Sequence, residues 1–481
     1  MNTCRLAPAD EYLQTSSNAV GYLYDKENLY DKENMKSLFN DFMDSRFKRL
    51  VAAAVLVLLS VILMSGIYQK WIPRKEKKLT IGVFAGSYWD IENGYYYRIL
   101  DDAIKEFQKE YPEYEVTYTS GILKSDYSEW LAEKMLQGDV PDLFFVPGDD
   151  LLTFAGIGAL RPLNNLISLD REFDPDVFYP SVYLSGQENG IQFALPYECA
   201  PNMMFVNKTI LDREGIPLPD PDWTWEDFLE ICGKVTHSTD GTGVINQYGV
   251  SGYSWVDAFS TNGVGLFDEE GRSCDFTTPQ IGEAISFLER LQAGNSGYNV
   301  SGRDFSNGNV AFQPMMFSEY RAYKSRELSL KKYSGFEWEC ITMPAGPSGD
   351  NISRLDTLHV ALSSRTSQEH AAWELMKLLT TDKKIQREIF DYSEGISPLK
   401  DITESEETAD MILEGTGTAF NMDTLHRAME KSVTAPRFPG YEEAREQVSI
   451  AVRSILDSNS NVQMEQIIWN RTINNYLKTR R

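Results

Sequence analysis

The sequence predicts two α/β lobes preceded by a single apolar helix. Three observations carry this. Leu50 to Ile67 (LVAAAVLVLLSVILMSGI) is a run of eighteen residues without a charge. From Leu79 onward, strand-like and helix-like periodicities alternate. The 403 residues after position 78 are too many for one core and suit two of about 200 each.

At about 1.5 Å rise per residue the apolar run reaches roughly 27 Å, enough to cross a hydrocarbon core of about 30 Å with Tyr68 and Trp71 at the interface. It lacks the polar stripe of a core helix, residues 64–68 (MSGIY) make a poor cleavage site, and no cysteine stands there to be lipidated. The expectation is one crossing at 50–67, an anchor or uncleaved signal, between a polar tail (1–49) and a basic linker (68–78). The tail carries YDKEN twice, at Tyr24–Asn28 and Tyr30–Asn34, and reads as disordered. Met35 and Met43 are alternative starts, since MDSRFKRL ahead of the run has the make-up of an ordinary export signal with a short basic start. Five Lys/Arg lie within twenty residues on either side, so charge alone does not orient the crossing.

The formal charge is −25 and the acidity lies after residue 78, which disfavours nucleic acid and phosphate-rich partners. Cys4, Cys199, Cys232, Cys274 and Cys340 are too far apart for CxxC or metal spacing, and His237, His359, His370 and His426 are equally scattered. No metal or cofactor is expected. An extracytoplasmic location would permit disulfides among the cysteines without specifying any.

Leu79 to Phe84 alternates as a strand. Tyr96 to Tyr111 follows as an amphipathic helix burying Ile99, Leu100, Ala103, Ile104 and Phe107, and Pro112 ends it. Glu115–Thr119 reads as a strand, Tyr127–Gln137 as a helix and Leu143–Val146 as a strand buried on both faces, an order that argues for a parallel sheet. In such sheets ligands sit at the carboxyl ends of strands, here the loops 85–94, 120–124 and 147–150. Further on, Met203–Asn207 is a strand candidate, Thr224 with Asp227 nearly forms a capping box, Ser367–Leu379 is a capped helix, and helical pattern returns at Glu442–Leu456.

Taken in order, GDVPDLFFV (Gly138–Val146), GALRPLNNLI (Gly158–Ile167), LPYECAPNMMFVNKTIL (Leu195–Leu211), TWEDFLEICGKVT (Thr224–Thr236), NGNVAFQPM (Asn307–Met315), MPAGPSG (Met343–Gly349), AAWELMKLLTT (Ala371–Thr381) and GISPLKD (Gly395–Asp401) resemble the extracellular solute-binding proteins of ABC importers, family 1, the carbohydrate or maltose-binding-protein type. The resemblance covers residues 79–481. It implies a type II periplasmic-binding-protein-like fold: lobe one from 79–196 and about 351–396, lobe two from 197–350 and about 397–481. The chain would cross near Pro196–Cys199, Asn351–Leu358 and Ser397. The resemblance also implies a monomer that delivers a sugar to ABC permease subunits, with its lobes outside the membrane of a Gram-positive cell and its tail in the cytoplasm. The absent lipobox cysteine departs from the common anchoring pattern.

A sugar cleft needs flat aromatic faces for pyranose rings and polar side chains for hydroxyls. Tyr88 and Trp89 follow the first strand, Asp149 and Asp150 the third, and Tyr197 and Glu198 stand at the first crossing. Tyr253, Trp255, Phe317 and Tyr320 occupy stretches similar to those where family members place ligand-contacting aromatics. Core packing is the competing assignment for each aromatic, and for Trp223, Trp225 and Trp373 it is the expected one. Two rival functions fit less well. A glycosidase needs a carboxylate pair about 5 to 10 Å apart that nothing here marks, so no enzyme is expected. A sensory or adhesive sugar-binding protein without transport would use the same lobes.

Overall fold

A computed structural model of the chain describes residues 45–71, 77–91, 94–95, 97–268, 270–295, 298, 300–324, 333, 335–416, 420–458 and 461–479. Most of the polar tail and residues 72–76 of the basic linker lie outside these. The chain divides into two units, Met1–Glu76 and Lys77–Arg481.

In the first unit a 27-residue helix, Ser45–Trp71, contains the whole apolar run. Its described side chains run from Arg49 to Met64 and all are exposed. Among the described residues, no helix is long and apolar enough to cross a membrane.

The second unit is built on a sheet of nine described strands: β1 (Lys77–Gly82), β2 (Tyr114–Tyr118), β3 (Leu143–Val146), β4 (Ala194–Asn207), β5 (Tyr248–Val250), β6 (Val310–Met316), β7 (Trp338–Ile341), β8 (Ser353–Leu362) and β9 (Ser432–Thr434). The main path runs β2-β1-β3-β8-β4-β6-β5, with β9 added to β8 and β7 to β4. β1 pairs in parallel with β2 (Leu79 opposite Val116) and with β3 (Ile81 opposite Leu143). These three strands are parallel as predicted, and the whole sheet is mixed because β8 arrives from the other lobe and runs antiparallel to β3. β1 begins two residues earlier than its periodicity suggests and ends at Gly82. A side chain there would put its Cβ 2.8 Å from Phe144 Cβ, so glycine is what lets β1 approach β3 this closely.

The helix Arg98–Glu110 buries Ile99, Leu100, Ala103, Ile104 and Phe107, the five residues its 3/4 spacing selects. The helix Lys124–Gln137 stops at Gly138, left-handed at φ 74°, where Gly138 N donates to Met135 O and Asp139 N to Lys134 O. β3 is buried along its length.

β4 joins the lobes. All fourteen of its residues are buried; Ala194–Pro201 pair with β8 in lobe one, and Asn202–Asn207 pair with β6 and β7 in lobe two. The first crossing is therefore the step from Pro201 to Asn202 inside one strand, slightly beyond the predicted 196–199. The return near 351–358 is the start of β8. The last passage differs from its expected place at Ser397. Beyond that residue Leu399 bridges to Phe178, Tyr179 Oη donates to Glu404 Oε1 at 2.9 Å, and Ile402, Ile412, Leu425 and Met429 are buried in the same core cluster as the side chains of β1 and β3. Ser432 of β9 still pairs with Ser353, and the chain enters the lobe-two core at Phe438. Sequence spacing could not show this, because helices 400–430 are amphipathic whichever lobe they cover.

Lobe two packs Trp223, Trp225, Phe228, Phe287 and Phe312 beneath the helix Trp225–Val235, which Thr224 and Asp227 start with a full capping box. The helices Tyr441–Ser458 and Val462–Thr479 close that core with Val448, Val452, Ile455 and Ile473. In lobe one Trp373 is buried and donates to Asp170 Oδ2 at 2.8 Å. Its helix, Glu369–Thr381, begins after Gln368 with no side-chain cap, where Ser367 was expected to supply one. The four described cysteines are free and buried.

Candidate ligand cleft

Two adjoining cavities open along the inner edge of β8. The larger, about 450 Å³, is lined by Trp255, Phe259 and Met316 of lobe two and by Arg354 and Arg445. The smaller, about 260 Å³, adds Gly148, Leu152 and Thr153 of lobe one, with Arg437 and Glu443. Both share Leu355, Asp356, Ala435, Pro436, Tyr441 and Glu442, so the floor is hinge strand and the walls come from both lobes. Together they offer a small sugar's volume, with apolar faces beside a few polar groups.

β8 supplies the central chemistry. Strand alternation puts Arg354 and Asp356 on one face while Leu355 and Thr357 turn inward. Arg354 Nη2 donates to Asp257 Oδ1 at 3.0 Å. Asp257 is 2% exposed and also accepts from Asn202 Nδ2 at 3.1 Å and from Ser254 N and Oγ at 2.9 and 2.7 Å. Asp356 Oδ1 accepts from Tyr88 Oη at 2.9 Å and from Thr357 N at 2.7 Å, and Gly148 N donates to the same Tyr88 oxygen at 3.4 Å. A side chain at position 148 would put its Cβ 3.3 Å from Asp356 Oδ1, a tight approach that would press on the carboxylate.

Of the residues the sequence singled out, Trp255 lines the larger cavity. It is half-buried, with its ring edge-on to Phe259 at 5.1 Å, and Nε1 donates to Ser449 Oγ at 3.0 Å. Tyr88 reaches the cleft floor through Asp356. Tyr88, Tyr197 and Glu198 meet around a separate lobe-one recess of about 60 Å³. Tyr197 packs edge-on against Phe145 at 4.9 Å, and Trp89 edge-on against Tyr88 at 4.8 Å. Glu198 is buried and accepts from Ser393 Oγ; Gly395 passes so close that a Cβ there would lie 2.6 Å from Glu198 Oε2 and 2.7 Å from Trp89 Nε1. Burial pushes the Glu198 carboxyl up to about 7, with Ser393, Trp89 and Arg321 opposing and Glu394 adding to the shift. The side chain of Asp149 lies outside the described residues, and Asp150 accepts from Ser128 Oγ.

Tyr253, Phe317 and Tyr320 are placed in packing. Tyr253 sets its ring against Phe228 at 5.3 Å and shares its hydroxyl with Trp225 Nε1 and Thr261 Oγ1, each 3.2 Å away. Phe317 and Tyr320 have no exposed surface; they stack on one another at 5.3 Å and reach Phe420 and Trp338. Their i, i+3 spacing on the helix Phe317–Lys324 turns both rings into the core, not toward the cleft.

The sequence reading missed Arg354, Asp356, Arg437, Tyr441 and Arg445. A signal existed for the first two: SRLDTLHVAL interrupts an apolar strand with opposite charges at i and i+2. For Tyr441 and Arg445 only their i, i+4 spacing on one helix face was visible.

The profile of bacterial extracellular solute-binding proteins matches residues 92–385. The chain belongs to that family. Among curated relatives, the sn-glycerol-3-phosphate-binding periplasmic protein of Shigella flexneri is 22% identical over 275 residues, 53% of this chain and 60% of that protein. The chain thus spans under two thirds of the length of the curated relatives it matches. Among solved structures, the cyclic alpha-maltosyl-1,6-maltose binding protein of Arthrobacter globiformis aligns with TM-score 0.70 at 14% identity, covering 84% of this chain and 99% of that one. The sugar-binding protein MalE of Xanthomonas citri aligns with TM-score 0.67 at 15% identity, covering 84% and 98%. At such identities these structures establish the two-lobe solute-binding fold. In this solute-binding family member the hinge-floored cleft is a large concavity that both lobes line.

Proposed function

We propose that the protein captures a carbohydrate in the cleft between its lobes and hands it to the permease of an ABC importer. The observation that carries this is the conjunction in one cavity of Trp255 and Tyr441, which offer aromatic faces, with Arg354 and Asp356, which offer a donor and an acceptor to hydroxyl groups. The sugar ligands named for the structural neighbours support the reading. Calorimetry against a panel of neutral oligosaccharides, with analysis for cleavage products, tests it: saturable binding without products is expected, and products would replace capture with hydrolysis. Small-angle scattering should record a smaller radius with bound sugar, because ligand in the cleft favours lobe closure; equal radii would count against it.

The tether belongs to the same proposal. One continuous helix covers Leu50–Ile67, which supports a single-pass anchor holding the lobes outside the cytoplasm near the permease. Carbonate-washed membranes should retain the full chain and release a 77–481 fragment. Protease added outside intact cells should remove the lobes; their full protection would reverse the orientation.

A further inference from the structure

We infer that the captured solute is uncharged, that the cleft rejects phosphate esters and other anions, and that Asp356 sets this preference. The inference rests on the reading of the cleft as the ligand site.

Three arginines line the two cavities, Arg354, Arg437 and Arg445, and three carboxylates face them, Asp356, Glu442 and Glu443. Two of these cations are not held in reserve for an anion: Arg354 is committed to the buried Asp257 at 3.0 Å, and Arg445 Nε meets Glu442 Oε2 at 3.2 Å. A phosphate entering a partly desolvated site needs uncompensated donors, and at Arg354 and Arg445 an opposite charge already stands beside the guanidinium.

Helix N-termini are the other common anion receptors. Two helices begin at this cleft, and each carries its own acid in the first turn. The helix Trp255–Thr261 spends its opening on Asp257, and Tyr441–Ser458 opens with Glu442 and Glu443. Those carboxylates take up the positive end that a phosphate would use. The formal charge of −25 opposes anion approach as well.

Asp356 is the decisive group because it is exposed, lines both cavities and is fixed through Oδ1 by Tyr88 Oη and Thr357 N. A hydroxyl group can donate to this carboxylate; an ionised phosphate oxygen can only accept and is repelled by it. The Arg354–Asp356 face of β8 therefore suits adjacent hydroxyls of a neutral polyol.

The experiment is thermal shift followed by calorimetry on the full chain, using neutral mono- to hexasaccharides, sn-glycerol 3-phosphate, glucose 6-phosphate, glucuronate and inorganic phosphate. The expected result is binding by a neutral saccharide, with every anion weaker by about 100-fold or more. Binding of an anion as tight as any neutral compound overturns the inference while leaving the cleft reading intact. No response to any solute counts against the cleft reading itself. Asp356→Asn should weaken the neutral ligand by about 10-fold and narrow its margin over the corresponding phosphate by a similar factor, because a neutral amide no longer repels the anion. Glu442→Gln should narrow the margin in the same direction. A margin unchanged in both variants removes the carboxylates from this role.

Discussion

Arg354 and Asp356 stand two residues apart on one face of the hinge strand, and each is bound to a different lobe. The guanidinium is held by Asp257 of lobe two at 3.0 Å, and the carboxylate by Tyr88 of lobe one at 2.9 Å. The strand that links the lobes thus presents opposite charges at the point where the lobes meet, each oriented by its own half of the protein. Four consequences can be measured.

Tyr88→Phe removes the hydroxyl that orients Asp356 and leaves the buried ring in place. Ligand affinity should fall by about 3- to 10-fold, the worth of one hydrogen bond, with little change in melting temperature. Calorimetry showing wild-type affinity would mean that the carboxylate keeps its orientation without the Tyr88 hydroxyl.

Arg354→Ala strips Asp257 of its cation but not of its bonds from Asn202 and Ser254. Because the arginine side chain is 39% exposed, the loss is discounted from that of a fully buried pair to about 1–3 kcal/mol. Urea unfolding measures it; a change within error would show solvent already screens the pair.

Trp255→Ala and Phe317→Ala should separate by phenotype. Removing the half-buried cleft ring should cost about 10-fold in affinity with modest destabilisation. Emptying the fully buried Phe317 site should cost about 3–5 kcal/mol of stability and leave the folded protein's affinity unchanged. Reversal of the two patterns would exchange their assignments.

Glu198 predicts a pH dependence. Burial raises its carboxyl to about 7 in the folded chain, with Glu394 adding to the shift and Ser393 and Arg321 opposing it, whereas the unfolded chain titrates near 4.3. The folded state holds the proton more tightly, so this contribution is complete below about pH 4.3 and is lost as pH rises through about 7. Stability should decline across that window by about 1–3 kcal/mol, and Glu198→Gln, which cannot ionise, should flatten the profile. Melting temperatures from pH 4.5 to 8 decide it; parallel profiles for the two proteins would rule out Glu198 as the source.

Local pattern was legible wherever one short segment contained its own cause. The helix Arg98–Glu110 showed its five buried residues through their spacing, β3 its double burial through LFFV, and the helix at Trp225 its start through Thr224 and Asp227. The order of motifs was enough to point to the solute-binding family. Trp255 was singled out because its stretch resembles a ligand-contacting one, and it lines the larger cavity. Phe317 and Tyr320 were read the same way and lie in the core, since the sequence does not tell which side of a short helix faces inward.

The sequence by itself determined the elements, the apolar run at 50–67 and the family, because periodicity, capping and motif order are properties of neighbouring residues. Only the tertiary structure decided that the chain beyond Ser397 enters the lobe-two core at Phe438, that β8 reverses direction within the sheet, and that Arg354 and Asp356 form the cleft floor. Those outcomes depend on pairings between residues as distant as Tyr88 and Asp356 or Ser353 and Ser432, and no local pattern records which distant strand or side chain completes a hydrogen bond.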